Sequence, residues 1–311
     1  MGVGTLDDIE RVSEGRSQLL RFSTGAAEAT VARIVGQLST SAALFAHHPG
    51  PPGDVMLRPI PIAESLTFGS DLVSTQRYRG KTNERLTRAM LNIALAAAGI
   101  DPSQPSGTVL DPLCGRGTTL NWALAYGLDT TGVEADRSSL DHHASFLQTW
   151  AKRSRLPHKM QRFRRGNGEQ RGFSFRVAPD RATFKNGGQQ LETFAADAAD
   201  TSLLIRKSAV DVVVTDLPYG IQHRDAAQQT GGRGLDPMEL LERSLPTWRR
   251  WIRPAGAICL AWNTKRAGRR EVSRILATAG FSPVTAPGGY SMRHVVDATI
   301  DRDVITAVRS G

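Results

Sequence analysis

The chain is poor in cysteine, in long apolar runs and in acidic residues, and each shortage narrows what it can be. Only two cysteines occur in 311 residues, Cys114 and Cys259, and neither has a partner at metal-ligand spacing. That pattern argues against a zinc cluster, leaves no metal expected, and points to a reducing cytoplasm. No apolar stretch approaches the roughly 20 residues of a membrane-spanning helix, so no membrane partner is expected. The start, Met1 to Asp8, has neither a basic flank nor an apolar core, and Leu6 stands where a myristoylation signal would carry Ser or Thr. Acidic residues (30) are outnumbered by Lys and Arg (39), which leaves a formal charge of +9. Cations gain affinity by releasing counterions from phosphates, so a polyanion such as nucleic acid is the expected partner.

What is present reads as a doubly wound α/β fold. A chain of this length buries a sizeable core without an external staple. Residues 1–75 form an N-terminal extension of unclear fold, with one helical stretch near Ala26 to Phe45. Then comes a breaker-rich loop, His47-His48-Pro49-Gly50-Pro51-Pro52-Gly53, whose histidines read as exposed loop residues and not as ligands. From residue 76 to 311 strands and helices alternate. Strands are predicted near 107–111, 129–134, 192–196, 209–215 and 256–262, and helices near 83–98, 117–127, 137–152, 236–252 and 265–279, the pattern of a mostly parallel sheet. Phe281 to Thr285 and Asp297 to Val308 read as closing strands. An insertion at about 152–190 breaks the rhythm: Lys152 to Lys185 carries eleven Lys/Arg against Glu169 and Asp180, with Phe163, Phe173, Phe175 and Phe184 among them. Interleaved cations and rings suit a nucleic-acid surface, or a solvated loop anchored by a few phenylalanines.

Two motifs carry chemistry. After the first parallel strand, Asp111-Pro112-Leu113-Cys114-Gly115-Arg116-Gly117-Thr118-Thr119 must turn sharply into a helix. Gly115 and Gly117 remove the Cβ atoms that would block a ligand from the backbone. No Lys-Ser/Thr pair follows Gly117, which argues against a phosphate-cradling nucleotide loop, and Leu120 replaces the third glycine of a dinucleotide fingerprint. Asp111, Gly115, Gly117 and Thr118 are the candidate cofactor residues of this loop. Glu134 ends the second strand where a ribose diol needs an acceptor, whereas Asp136 suits a helix cap. Asp197, at the end of the third strand, is placed to accept an adenine amino hydrogen or to cap a helix. The second motif is Asp216-Leu217-Pro218-Tyr219-Gly220 at the exit of the fourth strand, with a carboxylate, a rigid turn and a ring that can hold a planar amine.

The glycine loop, the acidic second strand, the third-strand Asp and Asp216 to Gly220 occur in the order seen in S-adenosylmethionine-dependent amino-methyltransferases. Together with Arg79-Gly80-Lys81-Thr82-Asn83 before a Met-Leu-Asn-Ile-Ala-Leu-Ala helix, residues 70–308 resemble the catalytic half of the THUMP-associated RNA guanine-N2 methyltransferases. The resemblance implies a Rossmann-like, seven-stranded class I methyltransferase sheet with helices on both faces and S-adenosyl-L-methionine as cofactor. It implies methylation of guanosine N2, first of all in tRNA. Asp216, a backbone carbonyl near Pro218 and Tyr219 would then orient and stack the base. Two departures stand out: Leu217 occupies a position where many amino-methyltransferases have proline, and residues 1–75 are too short for a complete THUMP domain. Lys81 and Thr82 either approach substrate phosphate or start the following helix. Competing readings are a DNA adenine or cytosine amino-methyltransferase, a non-catalytic nucleic-acid-binding module, and methylation of a protein amide.

Overall fold

The computed structural model describes residues 6–14, 17–39, 41–50, 55–62, 66–78, 80–101, 104–165, 170–200, 205–218, 236–285 and 291–311. The chain divides into two units, Met1–Ser65 and Leu66–Gly311. In the first, β1 (Asp7–Glu14) pairs antiparallel with β2 (Ser17–Ser23), α1 (Glu28–Gln37) follows, and β3 (Leu44–Pro49) pairs antiparallel with β4 (Val55–Ile60). Arg58 on β4 reaches Glu28 on α1 at 2.5 Å. The sequence reading of residues 26–53 needs correction here. The helix stops at Gln37, and His47 and His48 lie exposed on a strand, not in a loop. The reason is local: Leu44 is buried and Ala46 half-buried while Phe45 and His47 face outward, a two-residue period that a helical reading of the run absorbed.

The second unit runs α2 (Asp71–Ser74), α3 (Glu84–Ala97), β5 (Thr108–Asp111), α4 (Thr118–Ala125), β6 (Asp129–Glu134), α5 (Arg137–Arg153), β7 (His158–Arg165) and β8 (Gln170–Val177). It continues through α6 (Arg181–Lys185), β9 (Gln189–Ala195), β10 (Val210–Asp216), α7 (Pro237–Trp251), β11 (Ile252–Asn263), α8 (Arg269–Thr278), β12 (Phe281–Pro283), β13 (His294–Val295) and β14 (Asp301–Arg309). One sheet takes the order β12-β14-β11-β10-β5-β6-β9-β8-β7, with β13 on β14. Five neighbours, β11 to β9 in that order, are parallel; β14 and β8 run against them.

Helices cover both faces because the strand side chains alternate. Val109, Val212, Val214 and Cys259 point to the layer of α3, α4 and α5. Leu110, Val213, Ile258 and Leu260 point to the layer of α7 and α8. Residues buried on both sides explain why these strands read as continuous apolar runs. Among the described residues no helix is long and apolar enough to cross a membrane.

The basic insertion is neither a loop nor a display of stacking rings. It folds as the β7/β8 hairpin and lengthens the sheet beyond β9; with these two strands and the short β13 on β14, the expected seven strands become ten. Phe173 and Phe175 are 1% and 0% exposed within the core beneath α5, and Phe163 meets Phe194 edge-on at 5.6 Å. Phe184 lies under the Arg176 guanidinium at 4.2 Å. The cations stay outside. Truncating Phe175 to Ala is therefore expected to cost about 3–5 kcal/mol in denaturant unfolding, the price of emptying a filled core site. A loss under about 1 kcal/mol would return the ring to the surface.

Candidate functional site

The parallel strands deliver their carboxyl ends, and with them the candidate residues, to one edge of the sheet. β5 ends in Asp111, which is 4% exposed. Its Oδ1 accepts hydrogen bonds from the Leu113 amide (3.1 Å) and from the Thr215 hydroxyl of the neighbouring strand β10 (2.8 Å). Burial pushes the Asp111 carboxyl up to about 6, against the pull of the Thr215, Thr119 and Leu113 hydrogen bonds, with Glu134 adding repulsion.

The loop after Asp111 is pinned on two sides. The Cys114 amide donates to Val133 O (3.0 Å) on β6, and the Gly115 amide donates to Glu134 Oε2 (2.8 Å). Gly115 has φ +51° and opens onto empty space; a Cβ there would meet nothing within 4 Å. Gly117 has φ +82°, and a Cβ on it would lie 2.1 Å from the His143 ring. His143 is fully buried, burial pushes it down to about 3, and Nε2 faces Asn121 Oδ1 at 2.9 Å. A neutral ring facing an amide oxygen carries its proton on Nε2. A glycine-walled cradle with open space above, flanked by an acidic residue at the end of β6, fits a nucleoside-bearing cofactor.

Glu134 also accepts from the Asp136 amide through Oε1 (2.8 Å), and Asp136 caps α5 through Ser138 N and Ser139 N, as its position in the sequence suggested. Thr118 is 6% exposed and its hydroxyl lies 3.0 Å from the Tyr78 hydroxyl. Asp197 is exposed. Its Oδ1 accepts from the Ala199 amide (2.8 Å), and Arg243 of α7 reaches Oδ2 at 2.8 Å. The bond to Ala199 closes a turn, no helix follows it among the described residues for Asp197 to cap, and the carboxylate stands just past the end of β9.

Asp216 ends β10 with a side chain 16% exposed. Thr82 Oγ1 donates to its Oδ2 at 3.1 Å, and Arg302 Nη2 of β14 lies 3.5 Å from the same oxygen. Thr82 thus orients the carboxylate, a role that neither sequence alternative described. Lys81 does something else: its amine donates to Val73 O and Gln76 O, both at 2.6 Å, and pairs with Glu84, which ties down the turn before α3. Leu217 also finds its reason. Its amide donates to Ala261 O (2.8 Å), prolonging the β10/β11 ladder, and its side chain is 1% exposed. Proline at 217 could not make that bond. Pro218 is half-buried; Tyr219 and Gly220 lie outside the described residues.

Three residues of the site escaped the sequence reading. Tyr78 lies with the Arg116 guanidinium 5.0 Å over its ring, and an aromatic immediately before Arg79 to Asn83 was the available signal. Arg302 and His143 come from remote segments, and no local pattern marks them.

The sheet order and the glycine edge define the class I S-adenosylmethionine-dependent methyltransferase fold, and the comparisons agree. The UPF0020 family, described as RMKL-like, methyltransferase domain, matches residues 75–264, more than half of the chain, which therefore belongs to it. Among solved structures, the 1,6-didemethyltoxoflavin-N1-methyltransferase of Burkholderia thailandensis is 17% identical with a TM-score of 0.44, over 74% of this chain and 80% of that one. TrmN of Thermus thermophilus is 16% identical with a TM-score of 0.44, over 82% of this chain and 56% of that one. Geranyl diphosphate C-methyltransferase of Streptomyces coelicolor is 13% identical with a TM-score of 0.41, over 72% and 80%. No curated protein matches the sequence.

The Asp111 carboxyl gives a pH-dependent test. Its folded value of about 6 exceeds the ordinary 3.8, so the folded chain binds this proton more tightly. The resulting stabilisation is complete below about pH 4 and lost as pH rises through 6, leaving at pH 8 a buried charge that costs up to about 3 kcal/mol. Asp111→Asn keeps an acceptor for Leu113 and Thr215. It is expected to be more stable than the parent by about 1–3 kcal/mol at pH 8 and equal near pH 4, by denaturant unfolding. A difference independent of pH would refute the burial argument.

Proposed function

We propose that the protein methylates an exocyclic amine of a nucleobase, foremost guanosine N2 in tRNA, with S-adenosylmethionine as donor. The observation that carries this reading is the Asp216 carboxylate, held by Thr82 and Arg302 at the exit of the strand adjoining the glycine loop. Gly115 opens the backbone to the cofactor, left-handed Gly117 turns the loop into α4 against His143, Thr118 and buried Asp111 line the cofactor's approach, Glu134 takes the ribose hydroxyls, and Asp197 takes the adenine amino group. A carboxylate offers about four acceptor sites, so Glu134 can brace two amides and still face a diol.

When bound, the cofactor supplies a methyl group on a positively charged sulfur. The remaining task falls to the protein, because the lone pair of a purine amine is delocalised into the ring and makes it a poor nucleophile. Asp216 accepts one amino hydrogen, a backbone carbonyl at Pro218 accepts the other, and Tyr219 stacks on the base. With both hydrogens held, the nitrogen lone pair turns out of the ring plane toward the methyl. Transfer would form the N–C bond as the S–C bond breaks to leave a neutral thioether, and Asp216 would direct the proton that the nitrogen then sheds to water. A paired base cannot reach this edge, so the substrate nucleotide is flipped or single-stranded, at a cost of a few kcal/mol.

Support for nucleic acid over protein amide comes from the +9 charge and from aspartate, not asparagine, at 216. The test is transfer of label from S-adenosylmethionine to RNA, DNA and protein pools, followed by mass analysis of nucleosides. We expect N2-methylguanosine in RNA. Asp216→Ala is expected to lower turnover about 10²–10⁴-fold while cofactor binding measured by calorimetry stays within about twofold. Label appearing as N6-methyladenine in DNA, or turnover surviving in the variant, would overturn the proposal.

A further inference from the structure

Beside the cofactor edge, the inserted hairpin and α5 enclose an open cleft of about 490 Å³. Four arginines line it: Arg137 from the first turn of α5, Arg162 and Arg164 from β7, and Arg171 from β8. The only carboxylate among the lining residues is Asp141, and it is paired with Arg162. Arg137 and Arg164 have no carboxylate partner among the described residues. The floor, which includes Leu140 and Phe173, is buried and apolar.

Two features separate this cluster from an ordinary solvated face. Arg164 and Arg171 are direct cross-strand partners in the antiparallel ladder, an arrangement in which like charges weaken pairing. A like-charged cross-strand pair facing a cleft is a local rule-break of the kind that collects at sites of function. The second feature is position. β8 runs antiparallel to β9 and β7 antiparallel to β8, so the end of β7 and the start of β8 fall on the same sheet edge as Glu134 and Asp216. Arg137 stands three residues after Glu134, at a helix amino terminus where anions are favoured.

We infer that this cleft holds backbone phosphates of the RNA whose base enters the reaction edge. The inference rests on the proposed function and adds where the strand is gripped. Guanidinium forks match phosphate oxygens two at a time, and their convergence makes the cleft a phosphate track. Of the two aromatic side chains that line it, Phe173 is in the core and half-buried Phe163 is packed edge-on against Phe194, so the grip falls on phosphates and not on stacked bases.

The test is the full-length double variant Arg164→Gln/Arg171→Gln, read by equilibrium binding of a mixed tRNA pool across a salt series. The logarithmic salt slope is expected to fall by about one to two, since each lost phosphate contact removes about 0.7–0.9. KM for RNA is expected to rise at least tenfold, with kcat within twofold and S-adenosylmethionine affinity unchanged. Arg164→Lys/Arg171→Lys should recover most of the slope, and melting of the Gln variant should match or exceed the parent because a repulsion has been removed. Inorganic phosphate, added as a competitor, separates the two sources of the anion: saturation at micromolar phosphate with no effect on tRNA binding would assign the cleft to a free phosphate and overturn the inference. So would an unchanged slope and KM in the Gln variant. Because binding is read apart from turnover, tRNA bound through these arginines but never methylated would remove the proposed reaction and leave the cleft in place.

Discussion

The hydrogen bond from the Thr215 hydroxyl to Asp111 Oδ1 joins the two halves of the site. Thr215 is the neighbour of Asp216 on β10, and Asp111 ends the strand beside it, so one bond of 2.8 Å fixes Asp216, the proposed reaction carboxylate, relative to the glycine loop. The surrounding backbone bonds repeat the arrangement. Cys114 N is tied to Val133 O on one side of β5, and Leu217 N to Ala261 O beyond β10, so both loops leave the sheet only after the ladder has set their direction. Catalysis that depends mainly on aiming a weak nucleophile needs this kind of rigidity, since small misplacements are costly in rate.

That rigidity is purchased with local discomfort. A carboxyl 4% exposed, a left-handed glycine packed against a buried imidazole, and an aspartate and arginine both nearly withdrawn from solvent all stand along one edge of the sheet. Elsewhere in the second unit the strands obey simple alternation between two apolar layers. Stability comes from those layers, and the edge spends part of it. Gly117 shows the coupling closely: His143 fills the space a side chain would take, and its bond to Asn121 holds the start of α4.

The central strands, their helices and the two motifs were legible because each rests on a local signal: a buried apolar run, a glycine pair, a proline-containing turn. The hairpin was not. Its alternating pattern, Phe173 and Phe175 buried with half-buried Ser174 and Arg176 between and after them, is a strand signal, but the density of charge made the segment read as surface. Charge describes where a strand's outer atoms lie, and says little about whether the backbone pairs. The first 65 residues hid their hairpins for another reason: apolar residues such as Leu19 and Leu20, or Val55, Met56 and Leu57, follow one another directly and fall on both faces, so most of these short strands show no clean alternation. Residues that act on the site from far away in sequence, His143 and Arg302, left no local trace, and only the packing of α5 and the pairing of β14 bring them in.

Strand direction explains how cations reach an edge that parallel strands populate with carboxyl ends. A parallel strand arrives there at its last residue and leaves into a loop. A reversed strand starts there. β14 is reversed against β11, so its first residues, Asp301 and Arg302, fall at the functional edge, anchored by Asn263 Oδ1 accepting from the Asp301 amide at 3.1 Å. β8 is reversed against β9, and its beginning brings Arg171 to the same edge on the opposite flank. The two antiparallel additions thus do more than close the sheet. Each carries an arginine in a framework position to a place where the parallel strands present acids, one beside the Asp216 carboxylate and one in the cleft, and a rigid strand holds such a charge with less motion than a loop of equal reach.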